Sequence, residues 1–324
     1  MATLVSVCIP SHNGARWLAR SINSALAQTY GDIEVLVLDD ASTDDSVRIA
    51  NSFNDSRVRV MVNDVNLGLV RNWNRCITLS KGALTKFLFQ DDLLYPGCVE
   101  RMARIFDADP NVGMVFSPRD IILDNPNDPQ ALAWKERFGK LYTRFSGLHE
   151  VNPGRTLFND WLKDRFSENW VGEPSCVMLR RSCLDKIGLF NTRMFQIADI
   201  EMWARLAYFY DVGFIPEPLS AFTFHSGSTS SLHVKRRFFH LDRLWLVEGL
   251  LAYEEIRRNY PQVKDLRVFE AKSGFKRQVG VGGKRGQGST SILDRPQALT
   301  EYLAFRFLEM LRIAPKLHGE YRID

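Results

Sequence analysis

Lys86-Phe87-Leu88-Phe89-Gln90-Asp91-Asp92-Leu93 decides how the chain is read. An apolar run of strand length ends in two adjacent carboxylates. Pro96 and Gly97 then break the strand, and an amphipathic helix pattern follows from Cys98 to Asp107. A short apolar run between breakers reads as a buried parallel strand. Ligands of open α/β sheets bind beyond the carboxyl ends of the strands, which puts Asp91 and Asp92 at the lip of the sheet. Adjacent carboxylates repel unless a cation or hydrogen-bond donors compensate them. Their oxygens suit a hard divalent ion, Mg²⁺ or Mn²⁺, of the kind that also holds phosphates. The competing reading is that Asp92 only caps the helix that follows.

Upstream of this stretch, strand and helix patterns alternate at short spacing. Leu4 to Pro10 reads as a buried strand closed by proline, followed by the loop Ser11-His12-Asn13-Gly14 and a helix from Ala15 to Ala27. Ile33 to Leu38 is a second strand and also ends in paired acids, Asp39-Asp40. A helix over 45–53, a strand over 58–62 and a helix over 69–80 complete the run. This alternation implies a mostly parallel, doubly wound sheet with right-handed crossovers. Three strand ends then gather on one edge, each polar and two of them doubly acidic. That convergence suggests a nucleotide site. Neither GxGxxG nor GxxxxGK[ST] occurs, so phosphates must be met by a metal and by basic side chains such as Arg71 or Arg75.

The 324 residues exceed what one simple core usually holds, so a large α/β domain with an appendage is expected. A net charge of +4 is slight and gives no case for nucleic acid as a partner. Cys8, Cys76, Cys98, Cys176 and Cys183 lack metal-ligand spacing and read as buried thiols in a reducing compartment. A strand at the very N-terminus and the lack of a membrane-length apolar run give a cytoplasmic expectation, with peripheral contact at the inner membrane surface left open.

Four blocks of this sequence resemble family 2 glycosyltransferases. They are Val5-Ser6-Val7-Cys8-Ile9-Pro10-Ser11-His12-Asn13, Val37-Leu38-Asp39-Asp40-Ala41-Ser42-Thr43-Asp44, Asn66-Leu67-Gly68 with Asn74, and Phe89-Gln90-Asp91-Asp92. Each is weakly specific; together, in this order and spacing, they are strong. The resemblance implies the GT-A fold over residues 1–231, with a nucleotide-binding half (1–110), an acceptor half (111–231) and a helical C-terminal extension (232–324). It also implies that Pro10, Ser11, His12, Asn13, Asp39, Asp40, Asn66, Gly68, Asn74, Gln90 and Asp91 meet a nucleotide-sugar; Arg71 joins them on the strength of its charge, as a candidate for the phosphates. Asp91 and Asp92 stand at the family's metal motif, as ligands for Mn²⁺ or Mg²⁺. The family's fuller pattern is Asp-x-Asp-Asp, and this chain has Phe89 at the first acidic place.

Downstream, a strand is expected over 112–117, an irregular insertion over 118–154, a helix over 156–163 and a strand over 176–179. The segment 169–175 matches one that faces the acceptor in the family, which makes Trp170 and Glu173 acceptor candidates. Trp170 is otherwise a core aromatic. Phe195 to Leu206 reads as a helix with Asp199 near its start. An acid there is commonly a cap. The resemblance makes it the general base, although the family's Glu-Asp pair is here Ala198-Asp199. His225 follows a strand and opens a Gly/Ser-rich loop, where family members use a histidine at the metal or diphosphate.

The reading is therefore an inverting, metal-dependent glycosyltransferase. It would move a sugar from a UDP- or dTDP-linked donor to a glycan, lipid-linked or other hydroxyl acceptor, in glycan or cell-surface polysaccharide synthesis. A non-catalytic nucleotide-sugar binder and a nucleotidyltransferase are the alternatives. The basic amphipathic stretch 232–260, a flexible Gly-rich segment over 279–291 and a helix over 295–313 leave open a membrane-surface contact or a homodimer.

Overall fold

The computed structural model describes residues 3–225, 227 and 239–278. The first half runs β1 (Val5–Ser11), α1 (Leu18–Leu26), β2 (Ile33–Asp39), α2 (Ser46–Asn51), β3 (Val58–Val62), α3 (Leu69–Leu79), β4 (Leu84–Phe87), β5 (Leu93–Leu94) and α4 (Cys98–Ala108). The second half runs β6 (Val112–Phe116), β7 (Arg119–Leu123), α5 (Pro129–Phe138), β8 (Val151–Asn152), α6 (Gly154–Lys163), β9 (Val177–Arg180), α7 (Cys183–Ile187), α8 (Ala198–Phe209), β10 (Asp211–Phe214) and β11 (Ser220–Phe224). Three helices follow, α9 (Phe239–Leu251), α10 (Glu254–Asn259) and α11 (Gln262–Gln278). The first part of the basic amphipathic stretch (232–238), the Gly-rich stretch 279–291 and the helix over 295–313 lie outside the described residues.

An eight-stranded sheet has the order β3-β2-β1-β4-β9-β6-β10-β8. Strands β3, β2, β1 and β4 are parallel, and β10 is parallel to β6. Strand β9 runs antiparallel between β4 and β6, so the sheet is mixed at its centre. A second sheet, β5-β11-β7, lies beside it. Successive strand residues face opposite layers. Val5, Val7 and Ile9 enter the core shared with α1 and α4, while Cys8, Leu36, Leu38 and Phe87 enter the one shared with α3, α6, α8 and α9. All five cysteines are buried free thiols.

Two local readings are corrected. The stretch 118–154 is not irregular: it supplies β7, α5 and β8. Its aromatic residues hide there from a strand reading, because Trp134 of α5 stacks on Phe222 of β11 at 5.4 Å. The strand expected to run up to Asp91 stops at Phe87. Past Leu88 the chain turns, with Asp92 N donating to Phe89 O at 3.0 Å, and Ser21 Oγ on α1 lies 2.6 Å from Asp92 O.

Candidate active site

The loops after β1, β2 and β4 meet, and Gln90 is the pin. Its Oε1 accepts His12 N at 2.9 Å and Ser11 Oγ at 3.1 Å. A Cβ on Gly14 would overlap the Gln90 carboxamide, so that position holds only glycine without displacing the pin. Asp40 N donates to Ser11 O at 2.7 Å, which fastens the second loop to the first. Asp39 turns inward on its own loop, accepting Ser42 N at 2.7 Å and Ser42 Oγ at 2.6 Å. Ala41 between them has φ 56°, a left-handed conformation that costs a residue with a Cβ and that the Asp39–Ser42 bonds offset.

Asp40 organises the Asn66-Leu67-Gly68 loop. Its Oδ1 accepts Asn63 Nδ2 at 2.7 Å and Leu67 N at 2.8 Å, and its Oδ2 accepts Gly68 N at 2.9 Å. Asn66 Nδ2 comes within 3.1 Å of His12 Nε2, so the third loop closes on the first. His12, Asn13 and Arg71 remain exposed at this rim, and Pro10 is buried beneath it. Asn74 stands apart. Both ends of its carboxamide pair with the Phe190 backbone at 2.9 Å, the way two strands would pair, so its side chain is committed to the fold.

Beyond β4 the two carboxylates separate. Asp91 stays at the lip, and its Oδ2 lies 2.9 Å from His225 Nε2 at the end of β11. Arg20 of α1 braces this corner, donating to Asp91 O at 3.0 Å and to Thr223 Oγ1 at 2.8 Å. The Trp17 ring lies 5.6 Å from that of His225. Asp92 points inward at 0% exposure, and its Oδ1 accepts Thr223 N at 3.0 Å. Burial lifts its pKa well above the ordinary value and the Asp91 charge adds to this, while the Ser175 hydroxyl and Thr223 N–H act the other way. Asp92 thus ties β11 to the β4 turn and aims His225 at Asp91. Lys86 is fully buried below, its Nζ donating to Ser175 O. Burial lowers its pKa, and the nearby Asp92 charge partly restores it. Phe89, at the place of the family's first acid, stacks on Trp73 at 5.2 Å.

The second half contributes Asp199, at the start of α8. Its Oδ2 accepts Asn169 Nδ2 at 2.8 Å and its Oδ1 accepts Ile200 N at 2.8 Å. Part of Asp199 still reaches the surface, yet burial lifts its pKa to about 7; the Glu173 charge adds to this, and the Ile200 and Asn169 donors oppose it. Asn169 is held by Gly172, through bonds of 2.9 Å in each direction. Gly172 has φ 112°, which a side chain rarely adopts. Glu173 forms an ion pair with Arg119 at 2.7 Å. Its charge raises the pKa of both Asp92 and Asp199. Trp170 is only 6% exposed, edge-on to Phe145 at 5.1 Å and stacked with Trp161, which makes it a core residue.

Sequence reasoning missed Arg20, Thr223, Asn169, Ser175 and Lys86. Each acts through a contact more than twenty residues away in sequence, with partners at separations of 71, 131, 30, 86 and 89. Lys86 carried a signal as a charge inside an apolar strand, and Asn169 and Ser175 lie in the segment 169–175 already matched to the acceptor side.

Among the described residues, no group of three or more His, Cys, Asp or Glu is arranged to hold a metal, and no helix is long and apolar enough to cross a membrane. Solved structures share this architecture. S. aureus TarS 1–349 in complex with UDP-GlcNAc matches with a TM-score of 0.63 at 17% identity, over 86% of this chain and 76% of that one. The Pyrobaculum calidifontis mannosyltransferase PcManGT, in complex with GDP-Man and Mn²⁺, matches with a TM-score of 0.53 at 16% identity, over 97% and 85%. At such identities the likeness speaks for the fold alone, and the fold is GT-A. A protein of Mycobacterium tuberculosis, MT1568, is 35% identical over 259 residues, 78% of this chain and 79% of its own. Residues 6–188, which carry the loops of β1, β2 and β4, match the glycosyl transferase family 2 pattern. With that match over more than half of its length, the chain belongs to glycosyl transferase family 2.

Proposed function

We propose that this glycosyltransferase moves a sugar from a UDP- or dTDP-linked donor to a hydroxyl acceptor, with inversion, in glycan or cell-surface polysaccharide synthesis. The observation that carries the reading is that the segment 169–175 bonds to both halves: Asn169 Nδ2 donates to Asp199 Oδ2 at 2.8 Å, and Ser175 Oγ accepts Phe89 N of the β4 turn at 3.0 Å. The bound UDP-GlcNAc of TarS and the GDP-Man of PcManGT support a nucleotide-sugar donor.

In this reading the nucleoside rests on the rim made by Pro10, Ser11, His12 and Asn13 with Asp39, Asp40, Asn66 and Gly68. Gln90 keeps these loops together, and exposed Arg71 serves the phosphates. Asp91 and His225 offer one carboxylate and one imidazole at the same point. The carboxylate suits Mn²⁺ or Mg²⁺ and the added imidazole favours Mn²⁺ of the two, so Asp91 and His225 would hold such an ion together with groups from outside the chain. When bound, such an ion neutralises charge on the departing diphosphate. Asp92, which faces inward, supports this corner from behind.

Asp199 takes the proton of the acceptor hydroxyl as that oxygen bonds to the anomeric carbon. The bond from that carbon to the diphosphate oxygen breaks, and its electron pair leaves with the diphosphate. One displacement inverts the centre. A base with a pKa of about 7 is matched to neutral pH. Glu173, paired to Arg119, borders the acceptor side. Calorimetry with UDP and dTDP, with and without Mn²⁺, tests the donor half. Metal-strengthened binding supports it, and no affinity for any nucleoside diphosphate overturns it.

Phe89 favours a second reading, a nucleotide-sugar binder without turnover, because an aromatic ring stands where the family has an acid. Slow release of nucleoside diphosphate from a donor sugar separates the two, since a binder releases none.

A further inference from the structure

We infer that Asp242, on helix α9, is a positioning residue for Asp199: its carboxylate grips the backbone from which α8 starts. This rests on the reading of Asp199 as the base. Asp242 is 0% exposed. Its Oδ2 accepts Phe195 N at 3.0 Å, Gln196 N at 2.5 Å and Ile197 N at 3.1 Å, and its Oδ1 also accepts Phe195 N at 3.0 Å. Three successive N–H groups closing on one anion form a nest. Asp199 begins only two residues later. Nothing in 195–197 is a regular element, so without the anion Gln196 N and Ile197 N would lose this acceptor and the entry to α8 its fixed course.

The helix that brings Asp242 is locked to α8 by close packing. A Cβ on Gly249 of α9 would overlap the Glu201 carboxylate of α8. Glu201 is itself buried and paired to Arg205 at 2.7 Å, so it has little room to yield. Leu246, Val247 and Leu250 of α9 join the same core as Ile200 and Trp203 of α8. Burial pushes the Asp242 pKa up to about 6 while the three N–H groups hold it down, so the carboxylate remains charged at neutral pH. The anion also faces the start of α8, where the helix dipole favours negative charge. Residue 242 lies beyond the 6–188 segment shared with the family. Helix α9 thus supports the start of α8.

The test is Asp242→Asn, which keeps the shape and turns one acceptor into a donor facing N–H groups. Turnover should fall by about tenfold or more through misplacement of the base, with donor KM changed by less than about twofold. A loosened loop admits water to Asp199 and returns its pKa toward the ordinary carboxylate value. The acid limb of kcat should then move down by roughly half a pH unit or more. Amide exchange over 195–200 should quicken. Faster exchange with unchanged kcat and an unmoved acid limb overturns the inference. If Asp199→Asn itself keeps wild-type turnover, the base assignment falls and this inference with it. A crippled Asp199→Asn beside a normal Asp242→Asn overturns the positioning role alone. Should Asp242→Asn not fold, Gly249→Ala parts the same helices with the carboxylate intact. A wild-type kcat and acid limb there overturn the inference too.

Discussion

Asp91 Oδ2 and His225 Nε2 lie 2.9 Å apart across 134 residues of sequence. The β4 turn supplies one and the end of β11 the other, and Asp92 joins the two elements through Thr223 N. The pair therefore acts as one unit at the lip of the sheet. Asp91→Ala and His225→Ala should each lower turnover, Asp91→Ala by about two orders of magnitude or more, with the circular dichroism unchanged. The double variant should be little worse than Asp91→Ala, since groups acting together are not additive. A double-mutant cycle on turnover measures this.

The pH dependence has a fixed sign. A general base works deprotonated, and burial holds Asp199 near pKa 7. Turnover should therefore fall as pH drops below about 7, tenfold per unit once well below it. Replacing Asn169 with Ala removes a donor that lowers this pKa, so the acid limb should move to higher pH. A pH–kcat profile of the two proteins checks both.

Trp170→Ala should cost roughly 3–5 kcal/mol of stability, as for other large aromatic truncations in a core. The cause is its packing between Phe145 and Trp161. Acceptor KM should hardly change in the more conservative Trp170→Phe. Denaturant melts and acceptor titrations separate a core role from a sugar platform.

Asp40→Ala should weaken donor binding and stability together. It takes the acceptor from Leu67 N, while Gly68 N and the Asn63 carboxamide each lose one of two, keeping Asn66 Oδ1 and Asn72 Oδ1. Each unsatisfied buried donor costs about 1–3 kcal/mol. A lower melting temperature should accompany a higher donor KM, and added UDP should recover part of the stability.

The periodicity of the first hundred residues was nearly sufficient to read β1 to α4, because buried parallel strands and amphipathic helices write themselves locally. Asp39, Asp40 and Asp91 could be placed at one edge for the same reason. The antiparallel β9 could not, since pairing direction is a tertiary property that leaves no mark on Val177–Arg180. Adjacent acids looked equivalent in sequence. Only the turn after Phe89 sends Asp91 outward and Asp92 inward. Trp170 lost its surface role to Phe145 and Trp161, neighbours that no spacing rule brings together. Asp242 was invisible, because a nest is made from backbone whose shape is set elsewhere.

The central claim is that the β4 turn and the start of α8 serve one transfer. Its most direct test is release of nucleoside diphosphate from a panel of UDP-, dTDP- and GDP-sugars with Mn²⁺ or Mg²⁺, run in parallel on wild type, Asp91→Ala and Asp199→Asn. At least one donor should be turned over by the wild type, and both variants should be slower by about a hundredfold or more while remaining folded. Equal rates in wild type and Asp199→Asn, or no release from any donor, would contradict it.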